Sequence, residues 1–280
     1  MKVSIFTTYT NPDKRNDPWK EALECYEDFA DEIIVKGQDW PYDFSWDLIG
    51  KTFQSGFDEA RGDWAIRMDI DYFFHEKHIK TLPKVLRKYD NFPGIVFPQF
   101  QFFTPNRFQV KTRLCIALNK KRFPNIKLNG GGDLCLATLN DELLPINRLP
   151  NVNIPIYQYD SMFRTKEIIS EDRARFAKAW KNYFNDFGNR GGENPDKAFE
   201  SWYKDIEIKY KKHTNRLNLE KHPKYIQNKI ENLSDNQFGY SAFGLKENTK
   251  RSLEDFLKGK KELHLDKFKN NINLNRTVFK

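Results

Sequence analysis

Cysteine is scarce in this chain, and its spacing suits neither a bound metal nor a redox pair. Three cysteines occur in 280 residues, at Cys25, Cys115 and Cys135. An odd number of thiols without a CxxC pair argues against a disulfide framework and against a zinc site. We therefore expect reduced thiols and a cytoplasmic location.

Long apolar runs are also missing. No stretch approaches the roughly 18 consecutive apolar residues that a membrane-spanning helix needs. The chain enters an apolar, strand-like segment at residues 3–6, without the basic, apolar and small-residue succession of a secretory signal. The expectations are a chain with no transmembrane segment and no export signal.

The common glycine-rich phosphate-binding patterns are absent as well. Neither GxGxxG nor GxxxxGK[ST] occurs, and the glycine run at residues 130–132 is not followed by the lysine of a P-loop. A P-loop nucleotide site is therefore excluded. A nucleotide bound by this chain must be held by other groups.

Positive charge is present in excess, but only in the last part of the chain. The net charge is +8, and residues 201–280 hold 18 Lys and Arg against 10 Asp and Glu. The first 200 residues are therefore neutral. Such a bias attracts nucleic acid or an anionic membrane surface, or it simply solvates a helical appendage, and the sequence leaves these alternatives open.

The first part of the chain has the pattern of a parallel α/β unit. Residues 3–7 predict a strand, and the loop after it leads to a helix with Asp17 as its N-cap and Pro18 at its first position. Residues 32–35 predict a second short strand. A strand, helix, strand succession of this kind is typical of a doubly wound sheet.

An acidic pair, Asp69 and Asp71, follows the predicted third strand at residues 64–68. Two carboxylates one residue apart present oxygens to one hard cation and leave positions for a phosphate ligand, although an acidic pair is also common turn chemistry. In open α/β sheets the ligand crevice lies outside the carboxyl ends of the strands. Thr8, Asp39 and Asp71 are therefore expected to share one cleft.

The remaining patterns predict secondary structure more clearly than function. Residues 75–88 predict one helix, on which His75 and His78 are expected as surface residues rather than as metal ligands. Residues 154–159 predict an edge strand because they contain Pro155. Helical periodicity over residues 165–187 and 195–210 gives aromatic stripes that we interpret as packing faces rather than base-stacking platforms.

These residues resemble a known family. The run at residues 60–64, small residue, Arg, Gly, Asp and aromatic, leads through an apolar strand into the DxD at residues 69–71 and looks like a GT-A-fold glycosyltransferase of the family 2 type. A second likeness, to a bacterial and viral subset, lies in the aromatic strand at residues 156–159, Arg164, a basic amphipathic helix and the late pair His222 and Pro223. The resemblance implies a Rossmann-like, mixed α/β sheet flanked by helices, with a helical C-terminal extension.

The resemblance also implies roles for particular residues. Asp71, and Asp69 with it, would contact a Mn²⁺ or Mg²⁺ ion that bridges the diphosphate of a nucleotide-sugar donor, and Asp69 would lie near the ribose. The metal would neutralise the charge that develops on the departing diphosphate. The other residues expected around the nucleotide are Thr7, Thr8, Tyr9, Asp39 and Lys51.

The chain departs from the family pattern at one position, and the pattern leaves the general base open. Related enzymes often carry a histidine where this chain has Gln158, which puts a third protein ligand to the metal in doubt. An inverting transferase also needs a carboxylate to take the proton of the acceptor hydroxyl. Asp133 in the glycine-rich turn is the candidate, with Asp141 and Glu142 as alternatives.

The sequence thus predicts a catalytic core at residues 1–160, a helical extension at 161–233, and a polar basic tail with a short helix at 234–280. The predicted activity is metal-dependent, inverting transfer of a sugar from a nucleoside diphosphate to a glycan or other hydroxyl acceptor, with peripheral association through the basic region. A nucleotidyltransferase of similar architecture is one alternative. A non-enzymatic nucleic-acid-binding protein that uses the basic region is the other.

Overall fold

The computed structural model describes residues 1–38, 41, 43–129, 135–245, 253–254 and 256–261. Two predicted site residues, Asp39 and Asp133, lie outside the described residues. Most of the predicted basic tail also lies outside them. Within this tail, the described residues 253–254 and 256–261 are helical.

The chain begins with the predicted parallel unit. Strand β1 (Val3–Thr8) is followed by helix α1 (Trp19–Glu27) and strand β2 (Glu32–Lys36), and β1 and β2 pair in parallel. The apolar side chains of β1 are buried, because both faces of this central strand are covered. The expected N-cap at Asp17 is wrong: α1 begins at Trp19 and has no side-chain cap.

Helix α2 (Asp47–Glu59) and strand β3 (Trp64–Arg67) come next, and β3 pairs in parallel with the other side of β1. Gly62 allows this close return of the chain, since a Cβ atom there would lie 2.6 Å from the backbone nitrogen of Ser4. The carboxyl ends of β1 and β3 therefore lie at one edge of the sheet.

The segment predicted as a single helix after the acidic pair is divided. It consists of strand β4 (Tyr72–Phe74), the short helix α3 (Glu76–Ile79) and helix α4 (Leu82–Lys88). Pro83 lies at the start of α4, and a proline removes the hydrogen bond that would continue the helix from the preceding turn. The helix therefore restarts instead of running through.

A long hairpin forms the middle of the sheet. Strands β5 (Gly94–Thr104) and β6 (Arg107–Leu118) pair antiparallel, and β6 also pairs antiparallel with β3. Three short strands then form a separate small sheet: β7 (Lys127–Asn129), β8 (Leu136–Leu139) and β9 (Glu142–Leu143). A 3₁₀ turn, Ile146–Arg148, follows them.

Strand β10 (Ile156–Gln158) completes the main sheet, whose order is β2-β1-β3-β6-β5-β10-β4. It pairs in parallel with β5 and antiparallel with β4, so the prediction of an edge strand is wrong. Pro155 lies just before the paired residues, where the sheet does not need its missing N–H group.

The C-terminal part is helical and packs on the sheet layer. Its elements are α5 (Lys166–Phe184), α6 (Pro195–Tyr210), the short strand β11 (Asn215–Arg216) on β6, α7 (Lys224–Glu231) and α8 (Phe238–Ser241). Tyr225 and Ile226 of α7 join the same buried cluster as Tyr26 of α1. The predicted α/β class, a mixed sheet flanked by helices with a helical C-terminal part, is confirmed.

Among the described residues, no helix has both the length and the apolar character needed to cross a bilayer. The aromatic stripes of α5 and α6 contribute to buried clusters through Phe176, Phe199 and Trp202, in agreement with their interpretation as packing faces.

Candidate functional site

A cavity of about 1760 Å³ opens at the sheet edge where β1 and β3 end. One wall is formed by Thr8, Tyr9 and Thr10 after β1 and by the acidic segment 69–71 after β3. The other walls come from residues 111–116 of β6, from the small sheet with the 3₁₀ turn that follows it, and from α5. A crevice outside the carboxyl ends of parallel strands is where α/β proteins bind their ligands.

The structure brings some of the predicted site residues to this cavity and places others elsewhere. Thr8, Tyr9, Asp69 and Asp71 line it. Thr7 is fully buried within β1 and is not part of the cavity wall. Lys51 lies outside the wall on α2, with its side chain 72% exposed and its ammonium 2.5 Å from Asp47.

The two alternative candidates for a general base lie away from the cavity wall. Asp141 has its side chain 90% exposed, lies 3.9 Å from Lys127 and adopts a left-handed backbone conformation with φ of 64°. Glu142 is also exposed. Asp141 belongs to the tight turn between β8 and β9, where polar residues are favoured for the turn itself, and Glu142 is the first residue of β9.

Asp69 is held by a buried arginine from its own strand. Nη2 of Arg67 lies 3.2 Å from each carboxylate oxygen of Asp69, and Nη1 donates to the carbonyl oxygen of Cys135 at 3.1 Å. The guanidinium also lies 4.3 Å from the ring centre of Phe53 on α2. Arg67 thus contacts the acidic segment, the residue that precedes β8 and α2 at one point.

The backbone of the acidic segment is fixed by a second buried group, Tyr26 of α1. Its hydroxyl donates to the carbonyl oxygens of Asp69 at 2.7 Å and Tyr72 at 3.0 Å. Burial raises the pKa of Tyr26 well above its ordinary value, so this hydroxyl keeps its proton. The hydroxyl of Tyr26 therefore remains a hydrogen-bond donor to the backbone of the turn that carries Asp71.

Asp71 is oriented by an amide from the neighbouring strand. Nε2 of Gln158 donates to Oδ2 of Asp71 at 3.3 Å, and the backbone N–H of Tyr159 donates to the carbonyl oxygen of Asp71 at 3.1 Å. Gln158 lies directly opposite Tyr72 in the β10–β4 pair. The acidic segment is thus attached to β10 by both backbone and side chain.

The carboxylates of Asp69 and Asp71 suit a divalent cation that brings its other ligands with it. Within the described part of the chain, no group of three or more His, Cys, Asp or Glu residues is arranged to enclose a metal. Mg²⁺ characteristically binds through one or two carboxylates together with substrate phosphates and waters, which matches this donor set. A metal site closed entirely by protein ligands does not match these two carboxylates.

Sequence reasoning missed a ring of four charges in the cavity wall, in which the two carboxylates are buried and the two arginines are partly buried. Arg164 donates to Asp17 through Nε at 3.0 Å and through Nη2 at 2.5 Å, and to Asp172 through Nη1 at 3.1 Å. Arg15 lies 3.1 Å from Asp17 and 3.3 Å from Asp172. The ring ties the loop after β1 to α5, and nothing in the local sequence pairs residues so far apart.

A further carboxylate, Asp160, lines the cavity just after β10. Its Oδ1 accepts from the Ser161 hydroxyl at 3.1 Å and lies 3.8 Å from Arg173, and its Oδ2 accepts from Gln101 at 3.2 Å. Burial acts to raise the pKa of Asp160, but Arg173 and Lys111 outweigh it and hold the pKa below its ordinary value. Asp160 is therefore ionised at neutral pH.

We expect the protein to lose stability as the pH falls below about 4. Burial acts to raise the pKa of Asp172, but Arg15 and Arg164 hold that pKa below its ordinary value. The pKa of Asp160 is likewise held below its ordinary value by the cations around it. A depressed folded-state pKa stabilises the fold above the unfolded-state pKa of about 3.9, and this stability is lost as the pH falls through the folded-state value. Urea midpoints measured from pH 7 to pH 3 check this, and Asp160→Asn is expected to flatten the decline.

A constant urea midpoint down to pH 3 in the wild type would contradict this expectation. It would mean that these two carboxyls have the same proton affinity in the folded and unfolded chains.

The cavity wall carries more cations than carboxylates. Nine of its described residues are Lys or Arg and five are Asp, so the site favours an anionic ligand. Arg113 and Lys111 lie on β6, and Arg148 belongs to the 3₁₀ turn. Arg190 lies 3.5 Å from the ring centre of Trp180, beside Trp46 and Phe176, and gives the cavity an aromatic border.

Among the residues that the structure describes, no histidine lines the cavity. His75 is buried, where a surface position was expected, and its ring accepts from the backbone N–H of Lys77 at the start of α3. His222 is fully buried: it donates through Nε2 to the carbonyl oxygen of Pro105, and Nδ1 lies 2.8 Å from the hydroxyl of Tyr159. Burial lowers the pKa of His222 to about 4, so the ring is neutral.

No protein-family model and no curated protein matches the chain. Among solved structures it is similar to a crystal structure of S. aureus TarS 1-349, with 11% identity over 98% of this chain and 89% of that chain, at a TM-score of 0.33. The same protein in complex with UDP matches with 12% identity and a TM-score of 0.34. Its complex with UDP-GlcNAc matches with 11% identity and a TM-score of 0.32. TM-scores this low carry no conclusion about the function of this chain.

Proposed function

We propose that the protein is a glycosyltransferase that moves a sugar from a nucleoside diphosphate to a hydroxyl acceptor. The observation that carries this proposal is the placement of Asp69 and Asp71 at the end of β3, beside the loop after β1, in one large cavity. Paired carboxylates beside a cation-rich wall suit a diphosphate that binds with a metal ion. The resemblance of the DxD segment to family 2 glycosyltransferases agrees with this chemistry.

In this proposal Asp71 and Asp69 hold Mn²⁺ or Mg²⁺, which neutralises charge on the leaving diphosphate when bound. The chain's own residues orient the carboxylates: Arg67 holds Asp69, and Gln158 holds Asp71. Thr8 and Tyr9 border the nucleotide in this proposal. Asp39 and Thr7 are also proposed to lie near it. Lys51 is proposed for the same cleft on the resemblance alone, since in the structure its ammonium pairs with Asp47 on α2.

The size of the cavity suits two substrates. Pockets for a single small molecule typically measure about 300–1,000 Å³, whereas this cavity measures about 1760 Å³. The acceptor would lie on the side of β6, the 3₁₀ turn and α5, away from the acidic segment. Arg164, Asp172 and Phe176 bring the helical extension into the wall, so the catalytic unit includes residues beyond the proposed core of 1–160.

We propose Asp133 as the base that removes the proton of the acceptor hydroxyl, with inversion at the sugar. Cys135, two residues further along the chain, lines the cavity and supports this placement. Asp160, a described carboxylate of the wall, is a weaker candidate for this base than Asp133. Its pKa is held low by cations, and a carboxylate of low pKa is a poor proton acceptor. The basic C-terminal region is proposed to support peripheral association with an anionic surface.

A thermal-shift screen tests the proposal. The protein is melted with nucleoside diphosphates of each base and their sugars, with and without Mn²⁺. Because a ligand at about 100 times its Kd adds about 2.7 kcal/mol to the folded state, we expect at least one nucleotide to raise Tm by several degrees, and more in the presence of Mn²⁺. A panel without any Mn²⁺-dependent shift, beside strong salt-sensitive binding of DNA or RNA, would favour a nucleic-acid-binding protein instead.

A further inference from the structure

Two buried glutamines connect the sheet interior to the carboxylate of Asp71. Nε2 of Gln99 on β5 donates to Oε1 of Gln158 at 2.7 Å, and Nε2 of Gln158 donates to Oδ2 of Asp71 at 3.3 Å. Nε2 of Gln99 also donates to the hydroxyl of Tyr72 at 3.0 Å. The donors thus point in one direction, from β5 through β10 to the cavity.

The direction of this amide chain follows from the chemistry of its last member. An ionised carboxylate has acceptors only, so Gln158 must turn its NH₂ group toward Asp71. The carbonyl oxygen of Gln158 then faces Gln99 and needs a donor, which only the NH₂ group of Gln99 supplies in this chain of contacts. Each amide orientation is therefore determined by the next.

Burial makes the arrangement costly to change. Gln99 is fully buried and Gln158 is 4% exposed, so water does not replace either partner readily. The backbone supports the same geometry: Gln158 is opposite Tyr72 on β4, and Ile156 of β10 is opposite Gln99 on β5. Gln158 is thus held between the strand that follows Asp71 and the strand that carries Gln99.

We propose that Gln99 and Gln158 are positioning residues that orient Asp71 for a divalent cation, and that Gln158 is not itself a ligand of that cation. The amide oxygen that a metal would use is engaged by Gln99, and the NH₂ group that faces Asp71 cannot coordinate a cation. The inference rests on the proposed function, and it assigns the cation to protein carboxylates supported by an amide relay. Groups that orient metal ligands typically affect metal affinity 10–100-fold when they are removed.

The test is a mutant cycle in Mn²⁺ affinity, measured by the EPR signal of free Mn²⁺ with the protein alone and with the nucleoside diphosphate that gives the largest thermal shift. We expect Gln158→Met and Gln99→Met each to raise the Kd about tenfold. The double variant is expected to bind Mn²⁺ no more weakly than Gln158→Met, because Gln99 acts only through Gln158. Leu replaces Met at either site if the Met variant does not fold, as judged by its melting curve.

Gln109→Met is the matched control. Its amide on β6 donates to Gln101 at 2.8 Å and is no part of the relay, so the Mn²⁺ Kd should stay at the wild-type value. A weakened Gln158→Met beside an unchanged Gln99→Met would show direct coordination by Gln158 and overturn the proposal. Unchanged Mn²⁺ affinity in both variants would overturn the positioning role of the two glutamines and leave the proposed function standing. A wild type that does not bind Mn²⁺ would overturn both the positioning role and the proposed metal-dependent function.

Discussion

Replacing Asp71 by Asn is expected to abolish Mn²⁺-dependent hydrolysis of the nucleotide-sugar donor while leaving the fold intact. Asn keeps the size of the side chain and an oxygen that can accept from Gln158, so the packing of the acidic segment is preserved. It removes the charge that would hold a cation against the diphosphate. Metal stabilisation of a leaving group is worth several kcal/mol, so the rate should fall at least about 100-fold.

The measurement is donor hydrolysis over a range of Mn²⁺ concentrations, with Tm recorded for each variant. Asp58→Asn is the matched control, since Asp58 is exposed on α2, accepts from Gln54 and lies outside the cavity wall. It should keep the wild-type rate. Full activity in Asp71→Asn would contradict the glycosyltransferase proposal, and DNA or RNA binding that survives this substitution would favour the nucleic-acid alternative.

The sequence was most informative where local pattern and local structure coincide. The first strand, helix and strand follow from apolar residues of the right period, and the structure pairs β1 and β2 in parallel as predicted. The acidic pair follows β3 at the same sheet edge as Thr8, which could be inferred from the rule that parallel strands end together. Those positions follow from local apolar patterns together with this general rule.

The sequence was less informative where a residue's role depends on a distant partner. Asp17 looks like a helix N-cap because Pro18 follows it, yet its carboxylate accepts from Arg164, which lies 147 positions further along the chain. Gln99 looks like an ordinary polar residue in a strand, and only the placement of β10 beside β5 brings it to Gln158. No local periodicity records such contacts.

Proline misled the interpretation of β10 for a related reason. A proline within an apolar strand usually marks a sheet edge. Here Pro155 precedes the first paired residue, Ile156, so the missing N–H group falls outside the ladder and the strand pairs on both sides. One residue of register decides between the two interpretations, and register is set by the neighbouring strands.

Replacing Arg164 by Met is expected to lower the free energy of unfolding by about 3–5 kcal/mol. The guanidinium donates to both Asp17 and Asp172, and the side chains of these carboxylates are 4% and 5% exposed. Removing this cation leaves two buried carboxylates whose remaining common ion-pair partner is Arg15. Urea unfolding at pH 7 measures the effect, and Arg122→Met, which breaks an exposed 2.7 Å pair with Asp90, should cost less than about 1 kcal/mol.

The double variant Arg164→Met with Asp172→Asn separates charge from packing. If the loss in Arg164→Met comes from an uncompensated buried carboxylate, removing one negative charge should restore stability, because Arg15 and Asp17 remain as a pair at 3.1 Å. We expect the double variant to recover more than half of the lost free energy. If the loss came from missing side-chain contacts instead, the second substitution would add to it, and the two free-energy changes would sum.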